Sequence, residues 1–202
     1  MIKTILTFTA LLLVLSACTV KKPHLKEYTL RTTASFHPSN LESNHCEKKT
    51  LKVLQTSSEN KLYSSSMGYA IGTYHIDTFT ESKWSKPPNK AIEDALLQEL
   101  QKHKIFKKVI ASNSRAKSEL YLESNIYEFI QHFSEDTKKS NSILEIRLTL
   151  VNTKTKEILA AQTFKKNIPV TTMNAEGGVI ALSKALTLFL EEQSQWLQKS
   201  CI

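Results

Sequence analysis

Three cysteines and six histidines are the side chains whose chemistry could support catalysis or metal binding. The cysteines are Cys18, Cys46 and Cys201, and the histidines stand at positions 24, 37, 45, 75, 103 and 132. No two histidines are three or four residues apart and no cysteine has metal-ligand spacing, so the sequence does not predict a metal site. His75 and Asp77 could form an acid–base pair, but alternate residues of a strand commonly pair only as neighbours. We therefore expect no catalytic residue, no metal, no cofactor and no enzyme activity.

Cys18 has the most specific surroundings of the three cysteines. It follows a start that carries Lys3, an apolar run over residues 5–15 and two small residues. The run is too short to cross a bilayer, which requires about 20 residues, and it has the form of a signal-peptide core. The motif Leu15-Ser-Ala-Cys18 resembles the bacterial lipobox, in which the cysteine is acylated and becomes the first residue of the mature protein.

Two alternatives to lipidation are an ordinary secretory signal with an incidental cysteine and an amino-terminal anchor that stays uncut. We favour acyl chains on Cys18, palmitate among them, since each buried CH₂ contributes about 0.8 kcal/mol to membrane attachment. Residues 1–17 are then the signal peptide. Thr19 and Val20 lack the Asp that retains lipoproteins in the inner membrane of enteric bacteria, which favours the periplasmic side of the outer membrane and leaves the inner membrane open.

With Cys18 acylated, Cys46 and Cys201 remain as a pair in a compartment where disulfides persist. A bridge between them would close a loop of about 155 residues and contribute about 4–5 kcal/mol in the chain-entropy model. The alternative is two free thiols near the ends of the fold. Neither cysteine stands in a helix-start or histidine-paired context that would lower its pKa, so a catalytic thiol is not expected.

The balance of 27 Lys and Arg against 19 Asp and Glu gives a net charge of +8. This charge permits attraction to anionic lipid, anionic polymer or acidic protein surfaces without choosing among them. An exported protein rarely meets nucleic acid, and the lysines are dispersed among acidic residues, so we expect no nucleic-acid partner. Lys21 and Lys22, next to the anchor, could each add up to about 1 kcal/mol of attraction to anionic lipid.

Two segments have helical spacing of apolar residues. In residues 90–102, Ile92, Ala95, Leu96 and Leu100 recur along one face, after the prolines Pro87 and Pro88. A second helix is expected from about residue 175 to about 198, with apolar residues again at helical spacing.

Strands are predicted between and around these helices. Residues 50–55, 69–76 and 120–133 are rich in β-formers, and the alternation in the last of these slips, which predicts a bulge. Residues 142–151 alternate strictly, and a polar turn joins them to a return strand over 157–165. We therefore expect residues 18–45 to be a lipidated tether. Residues 46–202 are expected to form an α+β domain with a mostly antiparallel sheet and two amphipathic helices packed on one face.

The order of these features resembles the ABC-type transport auxiliary lipoproteins, which include the paraquat-inducible protein C type. The resemblance rests on a lipobox, a tether with Tyr28-Thr-Leu30, Trp84 followed by Pro87-Pro88 at the first helix, then a strand, a hairpin and a long last helix. It covers about residues 18–198. The Lys-rich surface and the pair Cys46/Cys201 are departures, because the family does not require them.

The resemblance implies a non-enzymatic accessory subunit, anchored through Cys18, that works with an MCE-domain protein and an ABC permease and ATPase to move lipids between inner and outer membranes. The sheet face that the helices leave uncovered and the region around Trp84 and Pro87 are the expected docking surface. Self-association of the domain stays open. The alternative is an envelope assembly or adhesion lipoprotein unrelated to ABC transport.

Overall fold

The structure is a computed structural model that describes residues 24–34, 46–103 and 105–200. Within these ranges the chain forms nine strands, two α-helices and a short 3-10 helix, Asn60–Tyr63. In chain order the main elements are β1 (Lys26–Tyr28), β2 (Thr50–Val53), β3 (Ser57–Ser58), β4 (Ser66–Ile71), β5 (His75–Trp84), α1 (Pro88–Lys102), β6 (Lys108–Ile110), β7 (Leu120–Phe133), β8 (Ser140–Asn152), β9 (Ile158–Pro169) and α2 (Ala175–Ser200). Among the described residues, no helix combines the length and apolarity needed to span a bilayer.

The predicted hairpin after the first helix is confirmed and extends further than expected. Strand β8 pairs antiparallel with β7 from Asn152, opposite Leu120, to Ser140, opposite Phe133. Its other edge pairs antiparallel with β9, from Val151 opposite Ile158 to Asn141 opposite Pro169, and β8 with β9 is the predicted hairpin. The alternating leucines and isoleucine at positions 144, 146, 148 and 150 are fully buried, as period-two spacing requires of a strand with one covered face.

The sheet as a whole is mixed, so the prediction of a mostly antiparallel sheet is wrong. Five of the eight strand pairings within the described ranges are parallel: β1 with β5, β2 with β6, and β2, β3 and β4 with β7. The other three of these pairings, β4–β5, β7–β8 and β8–β9, are antiparallel. Alternation in a sequence reports that one face is buried, but it does not report in which direction the neighbouring strand runs.

Both helices pack their apolar faces into one core with the sheet. Ile92, Leu96 and Leu100 of α1 are fully buried, as the helical spacing predicts. The core residues of α2 recur at helical spacing along most of its length: Ala175, Val179, Leu182, Ala185, Leu186, Phe189, Leu190 and Leu197. Pro88 occupies the first turn of α1, where its missing N–H leaves no helical hydrogen bond unmade.

The segment over residues 26–34, which the sequence places in the tether, lies on the folded domain. Strand β1 pairs with the end of β5, from Lys26 opposite Ser82 to Tyr28 opposite Trp84. Beyond it, the backbone N–H of Arg31 donates to Ser183 Oγ of α2 at 3.2 Å. Leu30 and Ala34 pack against the core. Polar composition favoured a tether, but it does not exclude a strand of three residues at a sheet edge.

An ion-pair cluster joins the turn before α1 to its first two turns. Lys86 Nζ lies 2.6 Å from Asp94 Oδ2, and Lys90 Nζ lies 3.3 Å from Asp94 Oδ1. Partial burial opposes ionisation of Asp94, but the hydrogen bonds from Lys86 and Lys90 outweigh it and hold the pKa of Asp94 below its usual value. The carboxylate therefore stabilises the folded state at neutral pH and loses that effect as it is protonated.

Helix α2 approaches the sheet closely at its start. A Cβ on Gly178 would lie 2.1 Å from Gln131 Oε1 of β7, and one on Gly177 would lie 2.0 Å from the backbone oxygen of Thr172. Ser142 Oγ of β8 donates to the Gly178 carbonyl at 3.3 Å. Backbone contact therefore requires glycine at 177. At 178 a Cβ would displace the Gln131 amide, which is buried and donates to Ser140 Oγ at 3.0 Å.

We expect Gly178→Ala to destabilise the protein by about 1–3 kcal/mol through overpacking. The usual effect in a helix is the opposite, since Ala is favoured over Gly by about 1 kcal/mol. Urea unfolding measures the difference. The matched control is Gly68→Ala, whose Cβ would meet Asp77 O at an ordinary 3.7 Å and should leave the midpoint nearly unchanged. A Gly178→Ala variant as stable as the wild type would contradict the close approach.

We expect Asp94→Asn to lower the free energy of unfolding at neutral pH and to lose this effect in acid. Because the folded pKa is depressed, the wild type keeps its advantage above the unfolded pKa of about 3.9 and loses it as the pH falls through the folded pKa. Urea midpoints from pH 2.5 to 6 test this. The variant Lys86→Gln, which removes the closer lysine, should change the profile in the same direction, and a wild-type advantage that persists unchanged to the acid end would refute the prediction.

Candidate functional site

The sheet has a gap where β7 changes partners. Strand β3 pairs with β7 up to Ile126, and β4 begins to pair with it at Gln131. Within the described ranges, residues 127–130 of β7 have no partner strand on that edge. The register with β8 also shifts between Ile126 and Glu128, which confirms the predicted bulge and assigns it to Tyr127. A cavity of about 630 Å³ opens at this gap, and we call it the sheet pocket.

The sheet pocket has an apolar floor. Its inner wall includes Trp84 and Leu182, which belong to the core on the helix side of the sheet. Its mouth includes Ile76, 53% exposed, and Tyr127, 49% exposed. Large apolar side chains with half of their surface exposed beside a cavity are more informative than single exposed ones, because together they form a patch that a partner can cover.

Charged side chains on the outer face, the sheet face opposite the helices, border the pocket. His132 Nε2 lies 2.6 Å from Glu128 Oε1, and both residues line the pocket with Glu145. Lys165 Nζ of β9 lies 2.6 Å from Glu145 Oε2 and 3.8 Å from Glu128 Oε2. The hydrogen bond to Glu145 raises the pKa of Lys165. This network bridges three neighbouring strands, β7, β8 and β9, on the outer face.

Among the described residues, no hydroxyl completes the network as nucleophilic catalysis would require. In the described part of the chain, neither His75 nor His132 hydrogen-bonds to a serine or threonine hydroxyl. His75 and Asp77 are 3.9 Å apart, and both are more than half exposed. No group of three or more His, Cys, Asp or Glu that could hold a metal occurs among the described residues. What the site offers is an apolar cavity with a paired, charged rim, which suits binding.

The two residues expected around the docking surface lie at different depths. Trp84 is only 5% exposed, and its ring centroid lies 5.9 Å from that of Phe129. It therefore supports the sheet pocket from inside instead of standing on the surface. Pro87 is half-buried at the start of α1. Docking at either residue stays a prediction.

Of the three cysteines, Cys46 alone lies within the described residues. Its side chain is 2% exposed in the core, and its sulfur is disulfide-bonded. Helix α2 ends at Ser200, one residue before Cys201. Cys18 and Cys201 lie outside the described residues, so the lipidation of Cys18 and the pairing of Cys46 with Cys201 stay predictions.

Sequence reasoning missed the sheet pocket, although one of its signals was visible. The slip in alternation at residues 126–128 marks the bulge. The change of partner strand from β3 to β4 has no signal in the sequence, because it depends on where β3 ends and β4 begins along β7 in the folded protein. Ile76 was interpreted only as part of a strand, yet it forms the exposed wall of the cavity.

The chain is similar to known proteins in sequence family and in fold. No curated protein matches the chain. The solved structure of protein XCC0632 from Xanthomonas campestris, of the DUF330 family, is similar with a TM-score of 0.76 and 15% identity, over 87% of this chain and 96% of that one. An uncharacterized protein is similar with a TM-score of 0.65 and 13% identity, over 86% and 98%.

A third similar structure is the hypothetical protein CT253 from Chlamydia trachomatis, with a TM-score of 0.50 and 7% identity over 76% of this chain and 98% of that one. At these identities the structures show a shared fold alone. The family is shown by sequence, because the model of the ABC-type transport auxiliary lipoprotein component matches residues 28–192, most of the chain. The chain therefore belongs to the ABC-type transport auxiliary lipoprotein family.

Proposed function

We propose that the chain is a non-enzymatic accessory subunit of an MCE-type ABC transport system that moves lipids between the inner and outer membranes. The observation that carries the proposal is family membership over residues 28–192, since an auxiliary transport component acts alongside a transporter. The binding character of the sheet pocket supports a role in association. The MCE partner and the lipid cargo come from the resemblance of the sequence to that family.

The proposed position is the periplasmic face of a membrane, held through acylated Cys18. Because residues 26–34 lie on the domain, the segment between Cys18 and the domain is shorter than the sequence implied. Eight residues, 18–25, precede β1, and at about 3.3 Å each they span about 26 Å when fully extended. The domain then stays close to the lipid surface, which raises its effective concentration for a membrane-embedded partner.

The proposed docking surface is the mouth of the sheet pocket. Ile76 and Tyr127 offer apolar area there, and the network of Glu128, His132, Lys165 and Glu145 provides a polar rim. Interfaces commonly combine an apolar centre with a polar border. The helices leave this face of the sheet uncovered, because they pack against its opposite side.

We expect Cys18→Ser to abolish anchoring. The full chain produced in its native host should then lack acyl mass and leave the membrane fraction, which intact-mass spectrometry and fractionation measure. The matched control is Cys201→Ser, which makes the same chemical change elsewhere and should keep the acyl mass. A wild-type product that retains residues 1–17 without acyl chains, or that fractionates with the cytosol, would refute the proposed location.

We expect Ile76→Asp combined with Tyr127→Asp to weaken recovery of permease, ATPase and MCE components by the full-length chain. Loss of a central apolar contact costs about 1 kcal/mol or more, so recovery should fall about fivefold. The control is Ile180→Asp, since Ile180 is 60% exposed on α2, on the other side of the sheet. Urea midpoints should match in all three proteins.

Equal recovery from both variants would remove the sheet pocket as the docking surface. Recovery of a different envelope machine by the wild type, with no transporter component, would instead reject the proposed function. That result would favour the envelope assembly or adhesion role.

A further inference from the structure

Nine cationic side chains lie at one end of the sheet, which we call the basic end. It is formed where β2, β6 and β7 begin and where β8 turns into β9. The cations are Lys48, Lys49, Lys52, Lys107, Lys108, Arg115, Lys117, Lys154 and Lys156. The acidic residues of the same segments are Glu47, Glu119 and Glu157. The excess of six positive charges compares with +8 for the whole chain, so most of the net charge is concentrated at one end.

Hydrogen bonds between the segments hold this end together. The Lys107 N–H donates to Lys49 O at 2.9 Å, and the Glu119 N–H donates to Thr50 O at 3.1 Å. The Thr153 N–H donates to Glu119 O at 3.0 Å. These bonds connect β6 to β2, β2 to the start of β7, and β7 to the β8–β9 turn. The cations therefore lie on adjoining segments at one end of the sheet.

The β8–β9 turn presents its cations in a defined conformation. Asn152 Oδ1 accepts hydrogen bonds from the Lys154 N–H at 2.9 Å and the Thr155 N–H at 3.2 Å. Lys156 Nζ lies 5.8 Å from the centre of the Tyr121 ring. A positive patch on an ordered turn binds with less loss of conformational entropy than one on a free tail.

The cations of the basic end are not neutralised within the described residues. None of the nine forms an ion pair with a described carboxylate, whereas Lys83, Lys86, Lys90 and Lys165 elsewhere do. Seven of the nine are exposed, and Lys49 and Lys52 are half-buried. The carboxylate of Glu119 is engaged by the Thr50 N–H at 2.7 Å. The surface therefore has positive charge available for a partner.

The position of the amino terminus distinguishes two anionic partners for the basic end, the anchoring membrane and an acidic protein. Strands β1 and β5 run toward the basic end, so the chain before Lys26 leaves in the opposite direction. Through the registers of β5, β4 and β7, Lys26 lies level with Phe129, nine residues or about 30 Å from Leu120. Residues 18–25 would have to extend fully and turn back for the basic end to stand on the anchoring membrane.

We propose that the basic end is the docking surface for an acidic protein surface, rich in Asp and Glu, that lies away from the anchoring membrane. The inference rests on the proposed function for the anchor, and it assigns a second contact in addition to the sheet pocket. Opposite charges steer association and set its orientation. A rigid sheet then relates the two contacts, since the basic end and the sheet pocket lie along the same strand, β7.

Carbodiimide crosslinking of intact envelopes that contain the full-length protein tests this inference. The reagent joins a lysine amine only to a carboxylate in contact with it. We expect junction peptides between lysines of the basic end and Asp or Glu of another protein. The variant Lys107→Glu, Lys117→Glu, Lys154→Glu should lower their yield by about tenfold, the lower end of electrostatic steering effects.

The matched control reverses three exposed lysines elsewhere, Lys138→Glu, Lys139→Glu and Lys184→Glu, and should keep the yield. Urea midpoints check that both variants fold. Equal loss in both variants, or junctions only within the chain, would overturn the inference. Loss of binding to anionic vesicles without any protein junction would assign the basic end to lipid and would also overturn it. Junctions to an acidic protein outside any ABC system would keep the inference and reject the proposed function.

Discussion

Strand β7 forms hydrogen bonds along both of its edges, and the positions of the other strands depend on this double pairing. One edge pairs with β8 over its whole length. The other edge is shared in succession by β2, β3 and β4, each too short to cover it alone. Backbone N–H and C=O groups in a sheet interior need hydrogen-bond partners, so the three short strands must pair with successive residues of β7. Where two of them fail to meet, between Ile126 and Gln131, the sheet opens into the pocket.

The same strand connects the basic end with the sheet pocket. Its first residue, Leu120, lies at the basic end, and residues 127–130 with His132 line the sheet pocket. Strand β1, the first strand of the chain, lies at the far side of β5 and β4. Because these strands form one hydrogen-bonded sheet with a single packed core, β1, the sheet pocket and the basic end keep a fixed mutual orientation. An accessory subunit with this organisation can orient a partner as well as retain it.

Local patterns predicted the elements whose residues repeat with one period. Leu144, Ile146, Leu148 and Leu150 are buried because a strand places alternate residues on one face, and Ile92, Leu96 and Leu100 because a helix places every third or fourth residue there. Trp84, which was expected near the docking surface, is buried and lines the sheet pocket, and docking in this region stays a prediction. An aromatic residue before a proline pair has no periodicity that would reveal its depth.

The sequence alone determined the family, the two helices, the β8–β9 hairpin and the bulge in β7, because each depends on residues close together in the chain. Only the tertiary structure decided the parallel pairings, the docking of residues 26–34, the sheet pocket and the gathering of lysines at one end. These features join segments as distant as Lys49, Lys107 and Lys154, and the composition reported their charge without their position. Long-range pairing is chosen by the simultaneous satisfaction of backbone hydrogen bonds and core packing, which no local segment of the chain contains.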